Sequence, residues 1–181
     1  FIVANKTDLV SQAEAEALFG HYPPLGYPVL YTSVRAQRGL EELHAKLAGR
    51  LTAFSGPSGV GKSSLLNAIQ PGLGLAAREV SHATGKGKHT TTIRQMYPLQ
   101  GGGFIIDTPG IKALALWDTE PEELDGYFPE LRSLVQVCQF NDCTHRHEPG
   151  CAIRQGVERG EIHPERYRSY LRLRYGGETE E

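Results

Sequence analysis

The residues Gly56-Pro57-Ser58-Gly59-Val60-Gly61-Lys62-Ser63 fit G-x-x-x-x-G-K-[ST], a spacing that can hold a polyphosphate. Glycines let successive backbone N–H groups converge on phosphate oxygens, and a helix opening at Lys62 adds the positive end of its dipole. In this reading Lys62 reaches the β- and γ-phosphates, Ser63 ligates Mg²⁺, and Ser64 extends the cradle along the helix. The motif alone does not separate ATP from GTP.

A second constellation supplies the choice of base. Asn5-Lys6-Thr7-Asp8 spells N-K-x-D after a short apolar run. The Asp8 carboxylate can accept from guanine N1–H and the exocyclic amine. Adenine offers neither donor there, so an ionised carboxylate would be left unpaired, and that penalty is the source of selectivity. Asn5 is expected to tie this loop to the phosphate loop, with the stem of Lys6 lying along the base. Ser33-Val34 follows the next apolar run, where a backbone N–H can meet guanine O6.

Two further segments bear on hydrolysis. Asp107-Thr108-Pro109-Gly110 fits D-x-x-G, in which the aspartate supports Mg²⁺ through water and the Gly110 N–H meets the γ-phosphate. In Gly87-Lys88-His89-Thr90-Thr91-Thr92, one threonine would complete the Mg²⁺ shell; Thr91 and Thr90 are both candidates. Ile111 stands where many G proteins carry a glutamine that orients water, and an isoleucine cannot do this. His89, with one acceptor nitrogen when neutral, is the nearest candidate for that task. The catalytic set expected from sequence is therefore His89, Lys62, Asp107 and Gly110.

The third chemistry is metal binding. Cys138-x4-Cys143-x-His145-x5-Cys151 offers three thiolates and an imidazole, a set suited to closed tetrahedral Zn²⁺, with His147 a competing ligand. All three cysteines of the chain lie in this stretch, which cannot be paired completely by disulfides. Phe140 and Pro149 are expected to pack around the metal.

These residues need a scaffold, and the texture of the chain supplies one. Apolar runs at 1–4, 28–32, 51–55, 93–97 and 103–106 read as strands, the last two forming a tight antiparallel hairpin. Helical spacing appears at 12–19, 40–48 and 62–69. The alternation predicts an α/β fold with a parallel sheet, a three-layer P-loop sandwich spanning 1–115. The Gly- and Lys-rich stretch 72–92 reads as a long mobile loop. Residues 116–181 read as a small helical zinc-binding domain, with helices at 153–160 and 164–175 and a disordered tail at 176–181. From Ala152 to Gly176 six arginines face three glutamates, with Tyr167, Tyr170 and Tyr175 interleaved. That face is suited to RNA phosphates, or else its tyrosines pack the helix on the metal knot.

Composition narrows the class. The 181 residues are 39% hydrophobic and 22% charged with a net charge of −2, which argues against a basic nucleic-acid binder over its whole surface. No apolar run approaches the ~18 residues of a membrane span, and no leader is visible, so a cytoplasmic protein is expected.

The motif order is unusual, because N-K-x-D precedes the phosphate loop rather than following it. This order, with Gly87 to Thr92 and the Cys/His cluster, resembles the ribosome small-subunit-dependent GTPase A family, RsgA or YjeQ, over nearly the whole chain. The resemblance implies a circularly permuted G domain followed by a zinc domain. It implies GTP hydrolysis in late maturation of the small ribosomal subunit, with that subunit and its rRNA as partners and a monomeric state. Its pattern C-x-F-x-D-C-x-H-x-x-E-P-x-C selects His145 over His147. In that family an OB fold, and a strand and helix, come before the N-K-x-D strand, so a gap in the sheet is expected here. Two other readings are a zinc-containing rRNA-binding module whose G domain turns over weakly, and an ATP-dependent kinase; Asp8 argues against the latter.

Overall fold

In the computed structural model, residues 1–72, 95–107 and 119–176 are described. The chain divides into two compact units, Phe1–Leu114 and Ala115–Glu181.

In the first unit, β1 (Ile2–Ala4) pairs in parallel with β2 (Val29–Tyr31), Val3 opposite Leu30. The connection runs through α1 (Gln12–Phe19), whose start is fixed by a capping box: Glu14 N–H donates to Ser11 Oγ, and Ser11 N–H donates to the Glu14 carboxylate. Two residues satisfy donors that the first turn would otherwise leave unpaired. A second sheet has the order β3 (Leu51–Phe54), β5 (Phe104–Asp107), β4 (Gln95–Pro98). β3 and β5 are parallel, whereas β4 and β5 form the antiparallel hairpin expected around residues 98–102. At its turn Gly103 has φ +93°, and a Cβ there would lie 2.5 Å from the Arg50 carbonyl oxygen, so backbone meets backbone without room for a side chain.

The described strands thus form two sheets rather than one. Among the described residues no strand pairs with both β3 and β1. What joins the two sheets is the helical layer. In α2 (Leu40–Leu47) the spacing of Leu40, Leu43 and Leu47 puts all three on one face. They bury with Leu30, Phe54, Leu65, Leu66, Leu99 and Ile105 in one core, the leucines at 65 and 66 coming from α3 (Lys62–Ile69). Gln70, beyond the end of α3, clamps the hairpin: its Nε2 donates to Pro98 O and its Oε1 accepts from Gln100 N–H.

The second unit is helical: α4 (Leu124–Tyr127), α5 (Arg132–Val135), α6 (Ala152–Glu158) and α7 (Pro164–Tyr175). Its core is Leu124, Phe128, Leu131, Ile153, Ile162 and Tyr170, together with Cys143 and Cys151. Phe140 is 40% exposed and Pro149 is exposed as well, and neither belongs to the buried core, contrary to expectation. α4 and α7, distant in sequence from the cysteines, supply Leu124 and Tyr170 to that core. Arg166 and Glu130 form a bidentate ion pair, with Nε 2.6 Å from Oε1 and the Arg166 guanidinium over the Phe128 ring.

Expected site residues His89, Thr90, Thr91 and Gly110 lie outside the described residues, as do Ile111, nearly all of the anticipated mobile loop and the residues after 176. Among the described residues no helix is long and apolar enough to cross a membrane.

Candidate functional site

Parallel pairing decides where the loops of the first unit emerge. Because β1 and β2 run the same way, Asn5 to Asp8 and Thr32 to Val34 leave the sheet at the same end, where ligands of such sheets bind. Thr7 N–H donates to Thr32 O, and Thr32 Oγ1 donates to Asn5 Oδ1 at 3.1 Å, locking one loop to the other. Ser33, fully buried, donates from Oγ to Asp8 Oδ1 at 2.5 Å and accepts from Ala36 N–H at 3.0 Å. That Ser33 hydrogen bond, helped by Arg35 and Arg38, holds the Asp8 carboxyl below its usual range. The carboxylate stays ionised at neutral pH, as a double acceptor must.

The same loop grips the phosphate loop. Asn5 Nδ2 donates to Val60 O at 2.9 Å, and Lys6 Nζ donates to Gly59 O at 2.7 Å. Lys6 adopts φ +64°, a left-handed conformation that turns its side chain toward the partner loop. Gly61 sits at φ +95°, where a Cβ would come within 2.4 Å of Asn5 Nδ2. Only glycine permits both the turn and the approach. Lys62 opens α3 and curls over the loop, Nζ donating to Gly56 O at 2.7 Å and Pro57 O at 2.9 Å. A cavity of about 340 Å³ is lined by Asn5, Lys6, Asp8, Val34, Gly61 and Ser64, with Leu9 and Arg35. Phe54, just before the phosphate loop, pairs with Asp107, so register alone brings the backbone of the D-x-x-G aspartate beside that loop.

In the second unit the ligand atoms of Cys138, Cys143, His145 and Cys151 all lie within 4.8 Å of one another. His145 Nδ1 is 3.6 Å from Cys138 Sγ and 3.5 Å from Cys151 Sγ. A tetrahedron with metal–sulfur bonds of ~2.3 Å and a metal–nitrogen bond of ~2.0 Å has an S···N edge of about 3.5 Å, so the donor set fits such an ion. Burial pushes the Cys143 thiol up to about 12, with Cys151 and Cys138 adding to it. Burial likewise lowers the pKa of His145, against the opposing pull of Asp125, and favours the neutral ring that ligates. Three crowded sulfurs, those of Cys143 and Cys151 buried and that of Cys138 half-buried, with a neutral imidazole can hold a metal cation that compensates thiolate charge.

Sequence reasoning did not find Arg35 and Leu9 in the cavity wall, nor Thr32 behind Asn5. Each directly adjoins an expected residue: Val34, Asp8 and Ser33 respectively. It also missed Glu148, whose carboxylate accepts from Thr144 N–H at 2.9 Å, Thr144 Oγ1, Arg146 N–H at 3.1 Å and His147 N–H at 3.2 Å. Burial pushes Glu148 up, but these donors outweigh it and bring its pKa to about 2. The E-P of the cysteine-rich pattern carried that signal. Tyr167 and Tyr175, interleaved with arginines in the sequence, face the knot: their hydroxyls donate to His145 O at 2.5 Å and Thr144 O at 2.9 Å.

Comparison with known proteins agrees with this geometry. The family model described as RsgA GTPase matches residues 1–117. A protein of Gemmatimonas aurantiaca named small ribosomal subunit biogenesis GTPase RsgA is 50% identical over 173 residues, covering 96% of this chain and 56% of that protein. One of the same name from Moorella thermoacetica is 49% identical over 94% of this chain and 58% of its own length. The chain therefore spans little more than half of these relatives. Among solved structures, YjeQ from Thermotoga maritima superposes with a TM-score of 0.73 at 40% identity, covering 96% of this chain and 58% of its own. YloQ, titled a circularly permuted GTPase, gives 0.68 at 35% identity over 96% and 55%. With its N-K-x-D loop ahead of its G-x-x-x-x-G-K-S loop and residues of both lining one cavity, the chain belongs to the RsgA GTPase family.

Proposed function

We propose that this chain binds GTP and hydrolyses it to GDP and phosphate, and that the activity serves late maturation of the small ribosomal subunit. The observation that carries the reading is the pair of bonds from Asn5 and Lys6 to the phosphate loop, which bring Asp8 and Gly61 onto one cavity despite their reversed order. Residues 1–115 act as a circularly permuted G domain, completed as a three-layer sandwich, and 116–181 as a zinc-binding domain. Asp8, Asn5, Lys6, Ser33 and Val34 read guanine. The backbone of Gly56, Pro57, Ser58, Gly59, Val60 and Gly61, with Ser64, cradles the phosphates. Lys62 exchanges its two carbonyl partners for β- and γ-phosphate oxygens, which stabilises charge as the bond to the leaving group breaks.

Ser63 and Thr91, or Thr90 in its place, would hold Mg²⁺ with the support of Asp107, and the ion would offset charge on the phosphates; Gly110 would meet the γ-phosphate and His89 would orient the attacking water. Cys138, Cys143, His145 and Cys151 hold one structural Zn²⁺. The partners are the small subunit and its rRNA, met by a cytoplasmic monomer. The relatives' names, small ribosomal subunit biogenesis GTPase, support the assignment.

The test is GTP turnover with and without purified small subunits, with ATP as competitor. Stimulated hydrolysis of GTP that excess ATP leaves unchanged is expected. Absence of turnover in both conditions sinks the enzyme reading and leaves a zinc-containing rRNA-binding module, which Ile111 in place of a water-orienting glutamine favours.

A further inference from the structure

His145 uses both ring nitrogens. Nδ1 faces the sulfurs of Cys138 and Cys151, while Nε2 lies 3.3 Å from Asp125 Oδ2, twenty residues earlier on α4. The ring is 1% exposed and Asp125 15%, so water competes little for that contact. Leu124 and Phe128 on either side of Asp125 are buried in the core and fix the helix that carries it. Arg174 of α7, its side chain 8% exposed, places NH1 3.9 Å from the same carboxylate oxygen and also donates to Tyr170 Oη. The backbone of His145 is held from another side. Its φ of +63° is unusual for a residue with a side chain, and the Tyr167 and Tyr175 hydroxyls bind the carbonyls of His145 and Thr144.

We propose that Asp125 is the outer-sphere positioning residue of the metal centre, accepting the Nε2 proton of His145 so that Nδ1 is the ligating nitrogen. A neutral imidazole carries one proton, and the group that accepts it decides which nitrogen keeps a lone pair for the ion. Asp125 pins that proton on Nε2. With it gone, a proton on Nδ1 blocks the ligand position, and the ring loses the bond that orients it. The Cys₃His knot is thereby coupled to α4 and α7, elements far outside the cysteine-rich stretch.

The inference rests on the reading of the cluster as a zinc site, and one set of measurements separates the two. Zinc affinity of the full 181-residue chain is measured by competition with a chromophoric chelator, for the wild type, Asp125→Ala and Glu130→Gln. Glu130 pairs with Arg166 in the same unit, and none of the hydrogen bonds or ion pairs described for it reaches Cys138, Cys143, His145 or Cys151, so its variant reports the effect of loosening the helices. Asp125→Ala is expected to weaken zinc binding by about 10–100-fold, the range for lost outer-sphere partners, and Glu130→Gln by much less. A loss below tenfold for Asp125→Ala, or an equal loss in both variants, overturns the proposal. A wild-type chain that takes up no zinc overturns the zinc reading instead. Long-range ¹H–¹⁵N spectra of the zinc-loaded wild type give a result independent of any variant: a proton on Nε2 with Nδ1 metal-bound is expected, and Nε2 as the ligating nitrogen overturns the assignment.

Discussion

At the scale of single residues, function is divided between groups that meet a ligand and groups that hold those groups. In the proposed function Asp8 is of the first kind. Two charge-assisted hydrogen bonds from guanine to its carboxylate would contribute about 1.5–3 kcal/mol each, so Asp8→Ala is expected to weaken GTP binding by 100-fold or more and to erase its preference over ATP. Titration with a fluorescent GTP analogue, displaced by GTP or ATP, checks both effects. Glu148 is of the second kind. Its folded pKa, about 2, lies below the unfolded value of 4.5, so it contributes stability in full above pH 4.5 and loses it as pH falls toward 2. Glu148→Gln should therefore be less stable than wild type at pH 7, and the two should converge on acidification from about pH 4.5 to about 2. Denaturant unfolding followed through this window measures the difference; a gap that stays constant with pH sinks the account.

At the scale of elements, the helices are stabilised by the faces they bury, and their spacing in sequence announces those faces. Leu43 lies on the inner side of α2 and is fully buried, whereas Glu41 on the same helix is exposed. Leu43→Ala is expected to cost about 2–5 kcal/mol and Glu41→Ala less than about 0.5 kcal/mol, read from urea midpoints. The expected α1 and α3 appear with the bounds 12–19 and 62–69, and α7 with 164–175, because capping residues and apolar period are both local. Strand ends shifted by one or two residues, since a strand ends where its neighbour's ladder ends. Residues 28 and 32, for example, lie beyond the three-residue pairing of β1 with β2. Phe140 stays out of the core for a related reason: an aromatic within the cysteine-rich stretch suggests core, but which residues bury there is decided by helices distant in sequence, which contribute Leu124 and Tyr170.

At the scale of the whole molecule, two compact units with separate cores carry separate chemistries. Below about 80 residues a core supplies little stability, so with zinc in the Cys₃His cluster, as proposed, the second unit would depend on that metal far more than the first does. A strong chelator is expected to unfold the second unit, seen as loss of helical circular dichroism, while binding of a fluorescent guanine nucleotide by the first unit persists. Loss of nucleotide affinity in parallel with the helical signal would show that the units do not stand separately.

By itself the sequence determined the types of chemistry. N-K-x-D, the phosphate loop and the Cys₃His spacing are short-range patterns whose meaning lies in residue type and order, and the period of the helices is equally local. Only tertiary structure decided which backbone carbonyls Asn5 and Lys6 reach, that Ser33 holds Asp8, that Asp125 and Tyr167 hold His145, and that Tyr175 holds Thr144 beside it. Those partners are separated by 20 to 55 residues along the chain, and no local preference specifies a contact made by packing two distant surfaces.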